Sequence, residues 1–348
     1  EDNVRKYLQQ QLNSINLKNT TDILGNLICT LPGNDNCPSV MLFAHMDQLG
    51  FIVKKIEEDG FIRVERLGGV PEKALASQEV VIQTKKGNYI SAVIGNKSHH
   101  VTTVEEKYKV ISYKDLFVDA GFSNKEEVID SGINVGSPIT YAPYFKELGP
   151  NCIVGTAVDD RAGCAVVLGV ANQLKETDKR PTVHIVFSVQ EEFNLRGVLP
   201  VAQTLKPDIA IQIDLMLSSD TPDMQLNGNV YLGQGPCMSM YSFHGRGTLN
   251  GLIPHPKMVK LFEEISEKIV KCSNRFEIYQ IFNENNLLKF LTTIAGSIIS
   301  LGSSLSSSKH PVQFSSPSVN SKYAQDSSSH SYPLASQFSD VSYISSSH

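Results

Sequence analysis

The chain of 348 residues carries a formal charge of −5 at pH 7, with 41% hydrophobic and 19% charged residues. This balance is typical of globular proteins, and the negative charge argues against nucleic acid or an anionic membrane as the main partner. No apolar run reaches the roughly 20 residues of a membrane span, and the N-terminal residues lack a signal-peptide pattern. The six cysteines are scattered without a Cys-x-x-Cys pair. This distribution favours reduced thiols in a cytoplasmic protein over a cysteine-bound metal.

The predicted elements before residue 50 begin an α/β domain. A helix is predicted at "VRKYLQQQLNSI", because its apolar residues recur at helical spacing. Strands are predicted at "GNLICTL" and at "VMLFA", which is followed by "HMD". Over residues 50–142 the pattern changes to short alternating stretches separated by Gly, Pro, Asn and Asp, which indicates a small β-rich domain. One helix is predicted there at "SNKEEVIDSG", with a capping pair at Ser123 and Glu126.

The α/β pattern returns after the β-rich stretch. Helices are predicted at "GCAVVLGVANQLKE", "GVLPVAQTL" and "KMVKLFEEISEKIVKC", and apolar strands at "TVHIVFSV" and "DIAIQIDL". Continuous apolar strands alternating with helices predict a mostly parallel central sheet with helices on both faces. The prediction is therefore a discontinuous α/β domain of residues 1–49 and 143–300, with a β-rich domain of residues 50–142 inserted into it.

Side chains that can bind metals follow several of these predicted elements. They stand in "AHMDQLG", "VDDRAG", "QEEFNLRG" and "IQIDLM". Because ligands bind at the carboxyl ends of the strands in open α/β sheets, we expect these side chains to converge at one edge. A single imidazole among several carboxylates needs positive charge nearby, and one or two divalent cations would supply it, with zinc, cobalt or manganese favoured over magnesium. The candidate residues are His45, Asp47, Asp159, Asp160, Glu191, Glu192 and Asp214.

Each of these motifs also has a simpler structural interpretation. A lone His-x-Asp pair commonly forms a cap or an ion pair, and two aspartates before a helix commonly cap it. Two glutamates after a strand commonly lie in a solvated loop. The metal interpretation is favoured because four such motifs, each at the end of an apolar run, occur in one α/β domain. The remaining histidines are weaker candidates: His184 and His244 fit core positions, and His99 and His100 belong to the β-rich stretch.

The order and spacing of the motifs over residues 1–268 resemble the tetrahedral (TET-type) glutamyl and deblocking aminopeptidases, a family of dinuclear zinc exopeptidases. The resemblance includes "AHMDQLGFIV", "VDDRAGCAVVLGV", "SVQEEFNLRG" and "TLNGLIPHPKMVKLFEEISEK". It implies a metal-dependent aminopeptidase that removes N-terminal residues from short peptides with a free N-terminus. The implied cofactors are two divalent ions, zinc first and cobalt as the alternative. The implied assembly is a dimer built through the inserted domain, with six dimers forming a dodecameric shell.

The resemblance also implies the metal ligands. His45 would bind one ion and Asp159 would bridge the two. Glu192 would bind the opposite ion, and Asp214 would complete the set around the ion that His45 binds. A cis peptide bond is expected between Asp159 and Asp160.

Two catalytic roles follow from the same resemblance. Asp47 would fix the ring of His45, and Glu191 would be the general base that takes a proton from the attacking water and returns it to the leaving amine. Phe193 and Asn194 stand where the family usually has Val-Gly, which predicts a narrower pocket and a shifted specificity.

The C-terminal sequence departs from the family. Beyond Lys268 neither the family's "TD" segment nor its late "RYxHS" segment, the source of the last zinc-binding histidine, is recognisable, and His330 in "SSSHSYP" is the nearest candidate for that ligand. From Ser303 onward nineteen of 46 residues are serine, so residues 301–348 are predicted to be a low-complexity tail. We interpret the sequence after about residue 270 as unlike a functional family C-terminus, with a shifted reading frame as the simplest cause.

Two alternatives to an aminopeptidase stay open from the sequence. The first is a related two-metal amidohydrolase, such as a carboxypeptidase or a deacylase, because such enzymes share the same ligand chemistry. The second is an inactive metal-binding relic, because the C-terminal sequence offers no clear last ligand. Hydrolysis of free-amine against N-acylated peptides would distinguish an aminopeptidase from the first alternative. A zinc count combined with a turnover assay would distinguish it from the second.

Overall fold

The structure is a computed structural model that describes residues 1–150, 152–177, 180–226, 228, 230–233, 237–243, 251–272 and 344–345. Within these residues no helix combines the length and the hydropathy needed to cross a membrane. The helices are α1 (Asp2–Ser14), α2 (Lys125–Asp130), α3 (Val158–Leu174), α4 (Val198–Leu205) and α5 (Pro256–Cys272). The strands are β1 (Thr20–Thr21), β2 (Leu27–Leu31), β3 (Val40–His45), β4 (Gly50–Ile56), β5 (Ile62–Leu67), β6 (Glu79–Gln83), β7 (Tyr89–Gly95), β8 (Phe117–Asp119), β9 (Pro138–Tyr141), β10 (Phe145–Leu148), β11 (Cys152–Gly155), β12 (Val183–Ser188), β13 (Ile209–Gln212), β14 (Ser242–Phe243), β15 (Gly251–Leu252) and β16 (Ile344–Ser345).

The central sheet has the strand order β1-β2-β12-β3-β13. Strands β12, β3 and β13 are parallel, whereas β2 pairs antiparallel with both β1 and β12. The α/β class is confirmed, and the described sheet is mixed; a mostly parallel central sheet stays a prediction. The physical reason for the mixed pairing is visible in burial: β3 is buried at all six positions, whereas β2 alternates in the manner of an antiparallel strand.

Helices lie on both faces of this sheet. Successive side chains of a strand point to opposite faces, so β3 contributes to two separate cores. Leu42 and Ala44 pack in the larger core with residues of α1, α3 and α5. Met41 and Phe43 pack in the smaller core with residues of α4. The sheet therefore holds the carboxyl end of β3 rigidly between two layers.

A closed six-stranded barrel follows β3 in the chain, with the strand order β4-β5-β8-β7-β6-β9. Every pairing in it is antiparallel. The barrel has its own buried core, which includes Phe51, Ile62, Ile82 and Ile139. The β-rich stretch is thus a small barrel between β3 and the later strands of the central sheet. The domain limits of 1–49 with 143–300, 50–142 and 301–348 stay predictions; the third range lies outside the described residues except for 344–345.

Helix α2 begins with a different capping residue from the one predicted. The N-cap is Asn124, whose Oδ1 accepts the backbone N–H of Glu127 at 2.9 Å. The Glu127 carboxylate in turn accepts the backbone N–H of Ser123 at 2.9 Å. The pattern is similar to a capping box moved one residue along from Ser123 and Glu126, except that Glu127 accepts the N–H of the residue before the cap. Asparagine caps a helix as well as serine does.

Candidate metal centre

Strand β3 brings His45 to the carboxyl edge of the sheet. The His45 side chain is 2% exposed, and its backbone is held by the first turns of α3. The backbone N–H of His45 donates to Asp160 Oδ2 at 3.2 Å, and its carbonyl accepts the Cys164 thiol at 3.1 Å. These bonds fix the histidine relative to the start of the helix.

The two neighbouring aspartates at the start of α3 make different contacts. The peptide bond between Asp159 and Asp160 is cis, as the resemblance implied. Asp160 is fully buried, and its Oδ1 accepts the backbone N–H of Gly163 at 2.9 Å. Asp159 is more open, and its Oδ1 lies 3.0 Å from His45 Nε2. Asp160 therefore supports the backbone of His45 and Gly163, and Asp159 presents its carboxylate to the His45 ring.

Asp47 connects the end of β3 with the two glutamates that follow β12. Its Oδ1 accepts the backbone N–H of Glu191 at 2.9 Å, and its Oδ2 accepts that of Glu192 at 3.0 Å. The same Oδ1 lies 3.4 Å from His45 Nδ1, a buried nitrogen that has no hydrogen-bond partner in the structure. One carboxylate thus orients the glutamate pair and faces the histidine ring.

The side chains converge at one point of the sheet edge. The potential ligand atoms of His45, Asp159 and Glu192 all lie within 4.8 Å of one another. Glu191 Oε2 lies 3.8 Å from His45 Nε2, beside this group. Asp214 belongs to a second group, in which its ligand atom and those of His45 and Asp160 lie within 4.8 Å of one another. The roles of these residues as ligands and base stay predictions.

The buried cluster holds more carboxylates than positive groups, and this imbalance is reflected in the pKa values of its members. Burial raises the pKa of Glu191 to about 7, against the lowering effect of the His45 charge. Burial, followed by the charges of Asp159 and Glu191, raises the pKa of Glu192 to about 8. Burial lowers the pKa of His45, but the carboxylates of Asp159 and Asp47 outweigh it and raise that pKa. Repelling carboxylates of this kind are stabilised by a cation between them.

The donor set fits a divalent cation. One imidazole nitrogen and carboxylate oxygens from separate elements converge, which is ligand chemistry suited to zinc and related ions. A cation between His45 and Asp159 would take the place of their direct hydrogen bond and neutralise the carboxylates. His330, the predicted last ligand, lies outside the described residues.

Two further groups at the site were missed by the sequence analysis. The Glu1 carboxylate accepts the backbone N–H of Gln190 at 3.0 Å. Asn26, which is fully buried, contacts the backbone at both Val189 and Gly197. The only signal for Asn26 was its place in "DILGN", a composition typical of an ordinary turn.

The fold and the site define an α/β protein with an inserted barrel and an imidazole–carboxylate cluster at the carboxyl edge of its sheet. Comparison with known families gives a match to the M42 glutamyl aminopeptidases over residues 25–280. The chain belongs to this family, as the sequence motifs predicted.

Three relatives of known name are similar to most of the chain. "Putative aminopeptidase SgcX" of Escherichia coli K12 is 40% identical over 245 residues, which cover 70% of this chain and 65% of SgcX. The lysyl aminopeptidase of Pyrococcus furiosus is 30% identical, with 71% of this chain and 67% of the relative covered. The glutamyl aminopeptidase of Lactococcus lactis is 31% identical, with coverages of 68% and 67%. The match thus spans less than two thirds of SgcX and about two thirds of the other two.

Solved structures agree with this membership. An aminopeptidase from the archaeon Desulfurococcus kamchatkensis is 36% identical and superimposes with a TM-score of 0.70, covering 77% of this chain and 72% of that one. The TET1 peptidase of Pyrococcus horikoshii is 25% identical with a TM-score of 0.65, covering 77% and 76%. That peptidase is described as assembling into a tetrahedron or a large octahedral shell.

Proposed function

We propose that the protein is a metal-dependent aminopeptidase that removes N-terminal residues from short peptides. The observation that carries this proposal is the gathering of ligand atoms from His45, Asp159 and Glu192 within 4.8 Å, with the Glu191 carboxylate beside them. Membership of the M42 family and the relatives named lysyl and glutamyl aminopeptidase support the same activity.

The proposed cofactors are two divalent ions, zinc first and cobalt as the alternative. His45, Asp159, Glu192 and Asp214 would hold them, with Asp159 shared between both and His330 as the proposed last ligand. When bound, such ions polarise a peptide carbonyl and lower the pKa of water toward 7.

The chain's own contribution to the reaction is proton transfer and orientation. Glu191 is proposed to take a proton from the attacking water and to return it to the leaving amine. Asp47 holds the backbone of Glu191 and faces the His45 ring, so it keeps the base and the ligand in a fixed relation. The surrounding carboxylates attract the ammonium group of a peptide N-terminus, which would restrict cleavage to the first residue.

Phe193 is proposed to influence which first residue is accepted. It directly follows Glu192 in the chain, is 41% exposed, and the Arg196 guanidinium lies 4.5 Å from its ring centre. A stacked aromatic ring beside the glutamates would narrow the pocket and shift the preferred residue, as the departure from Val-Gly predicts.

A panel of aminoacyl-anilides and matched N-acetylated peptides tests the proposed function. We expect hydrolysis of the free-amine substrates, none of the acetylated ones, and loss of activity after chelation that zinc or cobalt restores. Preferential cleavage of acylated peptides would identify a deacylase, and release of C-terminal residues a carboxypeptidase. Bound zinc with no turnover on any substrate would identify a metal-binding relic.

Removal of divalent metal is expected to lower the unfolding temperature. An ion that binds only the folded state stabilises it by about 2.7 kcal/mol when its free concentration is 100 times the dissociation constant. Differential scanning calorimetry of chelated and zinc-loaded protein measures the shift. The Asp159→Asn variant is the control, because it lacks the shared ligand and should gain little from zinc. An equal gain in the variant would contradict the proposed site.

The proposed assembly is a dimer built through the barrel, with dimers assembling into a dodecamer. The Pyrococcus horikoshii relative assembles into closed shells, and strand β7 of the barrel exposes Tyr89 and Val93. Sedimentation velocity should give a species of about twelve chains, and charged substitutions at both β7 positions should dissociate it into smaller species. A wild-type monomer with full activity would contradict the proposal.

The scattered cysteines support the cytoplasm as the compartment of this assembly.

A further inference from the structure

The two glutamates lie in a loop whose ends meet. We call residues 189–197, which follow β12, the glutamate loop. At its neck the backbone N–H of Gly197 donates to the Val189 carbonyl at 3.1 Å. Within the loop, the N–H of Leu195 donates to the Glu191 carbonyl at 3.0 Å, and that of Arg196 to the Gln190 carbonyl at 3.1 Å. Both glutamates are therefore placed by the conformation of one compact loop.

This conformation is a costly one. Gln190, Asn194 and Leu195 have φ values of 54°, 69° and 55°, in the left-handed region that side chains disfavour. This backbone region is strained for glutamine and leucine and tolerated better by asparagine, so the loop keeps its shape only where its surroundings determine it.

The side chain of Asn26 spans the neck of the loop from outside. Its Oδ1 accepts the backbone N–H of Val189 at 2.9 Å, and its Nδ2 donates to the Gly197 carbonyl at 3.1 Å. The residue is 0% exposed. One carboxamide thus satisfies a donor at the entrance of the loop and an acceptor at its exit.

Asp22 fixes the orientation of this carboxamide. Its Oδ2 accepts Asn26 Nδ2 at 2.7 Å, and its Oδ1 accepts the backbone N–H groups of Leu24, Gly25 and Asn26 at 3.0, 2.9 and 2.9 Å. With the Asp22 carboxylate on one side, the amide nitrogen must face both acceptors and the amide oxygen must face Val189. The neck is also tightly packed, because a Cβ atom on Gly197 would lie 2.6 Å from Asn26 Oδ1.

We propose that Asn26 is a positioning residue that sets the place of Glu191 and Glu192 by clamping the neck of the glutamate loop. The inference rests on the proposed function, in which those two glutamates are the base and a metal ligand. Only a carboxamide serves here, because the clamp needs an acceptor and a donor on one planar group. Aspartate keeps the acceptor but places an oxygen against the Gly197 carbonyl and the Asp22 carboxylate.

The test compares Asn26→Asp with Leu174→Ala. Leu174 is buried at the last position of α3, so its truncation destabilises the same domain and removes none of the hydrogen bonds that hold the loop. For Asn26→Asp we expect a 10–100-fold lower kcat, a KM within about threefold of wild type and a roughly tenfold weaker zinc affinity, the usual loss when a group behind a ligand is removed. The visible absorption spectrum of the cobalt-loaded variant should also change. Leu174→Ala should lower the unfolding temperature but leave all four readouts near wild type.

A second variant, Asp22→Asn, keeps the test decisive if Asn26→Asp does not fold. Asp22→Asn weakens the hold on the carboxamide without removing a group that touches the loop, and we expect a few-fold loss of zinc affinity and kcat. The inference is overturned if Asn26→Asp, or Asp22→Asn where the first does not fold, matches Leu174→Ala with unchanged kcat, zinc affinity and cobalt spectrum. Absence of wild-type turnover would instead contradict the proposed function, while the zinc and cobalt readouts would still decide the role of Asn26.

Discussion

Replacing Glu191 with glutamine is expected to reduce kcat by about a thousandfold while the zinc content stays at the wild-type level. The amide cannot accept the proton of the attacking water, and loss of a general base typically costs 10²–10⁴ in rate. The backbone N–H of Glu191, which Asp47 accepts, is unaffected by the substitution, so the loop should keep its place. Turnover on an aminoacyl-anilide and zinc content by mass spectrometry are the two measurements.

The matched controls are Glu192→Gln and Asp214→Asn. Glu192 is adjacent in the chain and has the same side chain, but it is a proposed ligand, so its amide variant should lose metal as well as activity. Asp214→Asn should lose metal from one site. Equal metal loss in the Glu191 and Glu192 variants would mean that the roles of base and ligand are wrongly assigned.

Replacing Asp47 with alanine is expected to lower both metal affinity and kcat by 10–100-fold. The substitution leaves the N–H groups of Glu191 and Glu192 without their acceptors, and it removes the charge beside His45 Nδ1. A buried N–H donor without an acceptor lowers the free energy of unfolding by about 1–3 kcal/mol, so the unfolding temperature should fall as well. Isothermal titration with zinc, kinetics and calorimetry measure the three effects.

Asp47→Asn separates these contributions. The amide keeps one oxygen for one of the two N–H groups and has nearly the shape of the carboxylate, so its losses should lie between those of wild type and Asp47→Ala. A wild-type zinc affinity in both variants would show that Asp47 does not support the ligands.

The sequence predicted the part of the site that depends on single strands. An apolar run such as β3 identifies a buried strand, and the residue after such a run lies at the sheet edge. This rule applies to His45 and Glu192 at the ends of β3 and β12, whereas Asp159 stands at the start of α3 after β11, a strand outside the central sheet. The structure places the ligand atoms of all three residues together. The strand directions in the sheet were less predictable. Strand β2 alternates in burial, and its antiparallel pairing with β12 depends on the path that the chain takes between the two strands.

The supporting contacts could not be predicted, because they join segments far apart in the chain. Asn26 and Val189 are separated by 163 positions, and Asp47 and Glu191 by 144. No local pattern distinguishes the proposed clamp Asn26 from a turn asparagine, or the proposed ligand Asp159 from the buried Asp160 beside it. The capping residue of α2 differed for a local reason, because Ser123 and Asn124 are both good caps and only the packed structure selects one.

His45, Asp159 and Glu192 are proposed to hold a divalent cation. Anomalous diffraction from zinc-loaded crystals, recorded above and below the zinc absorption edge, tests it most directly. We expect a zinc peak about 2.0–2.2 Å from His45 Nε2 and from carboxylate oxygens of Asp159 or Glu192. Zinc bound elsewhere on the fully loaded chain, with no peak beside His45, would contradict it.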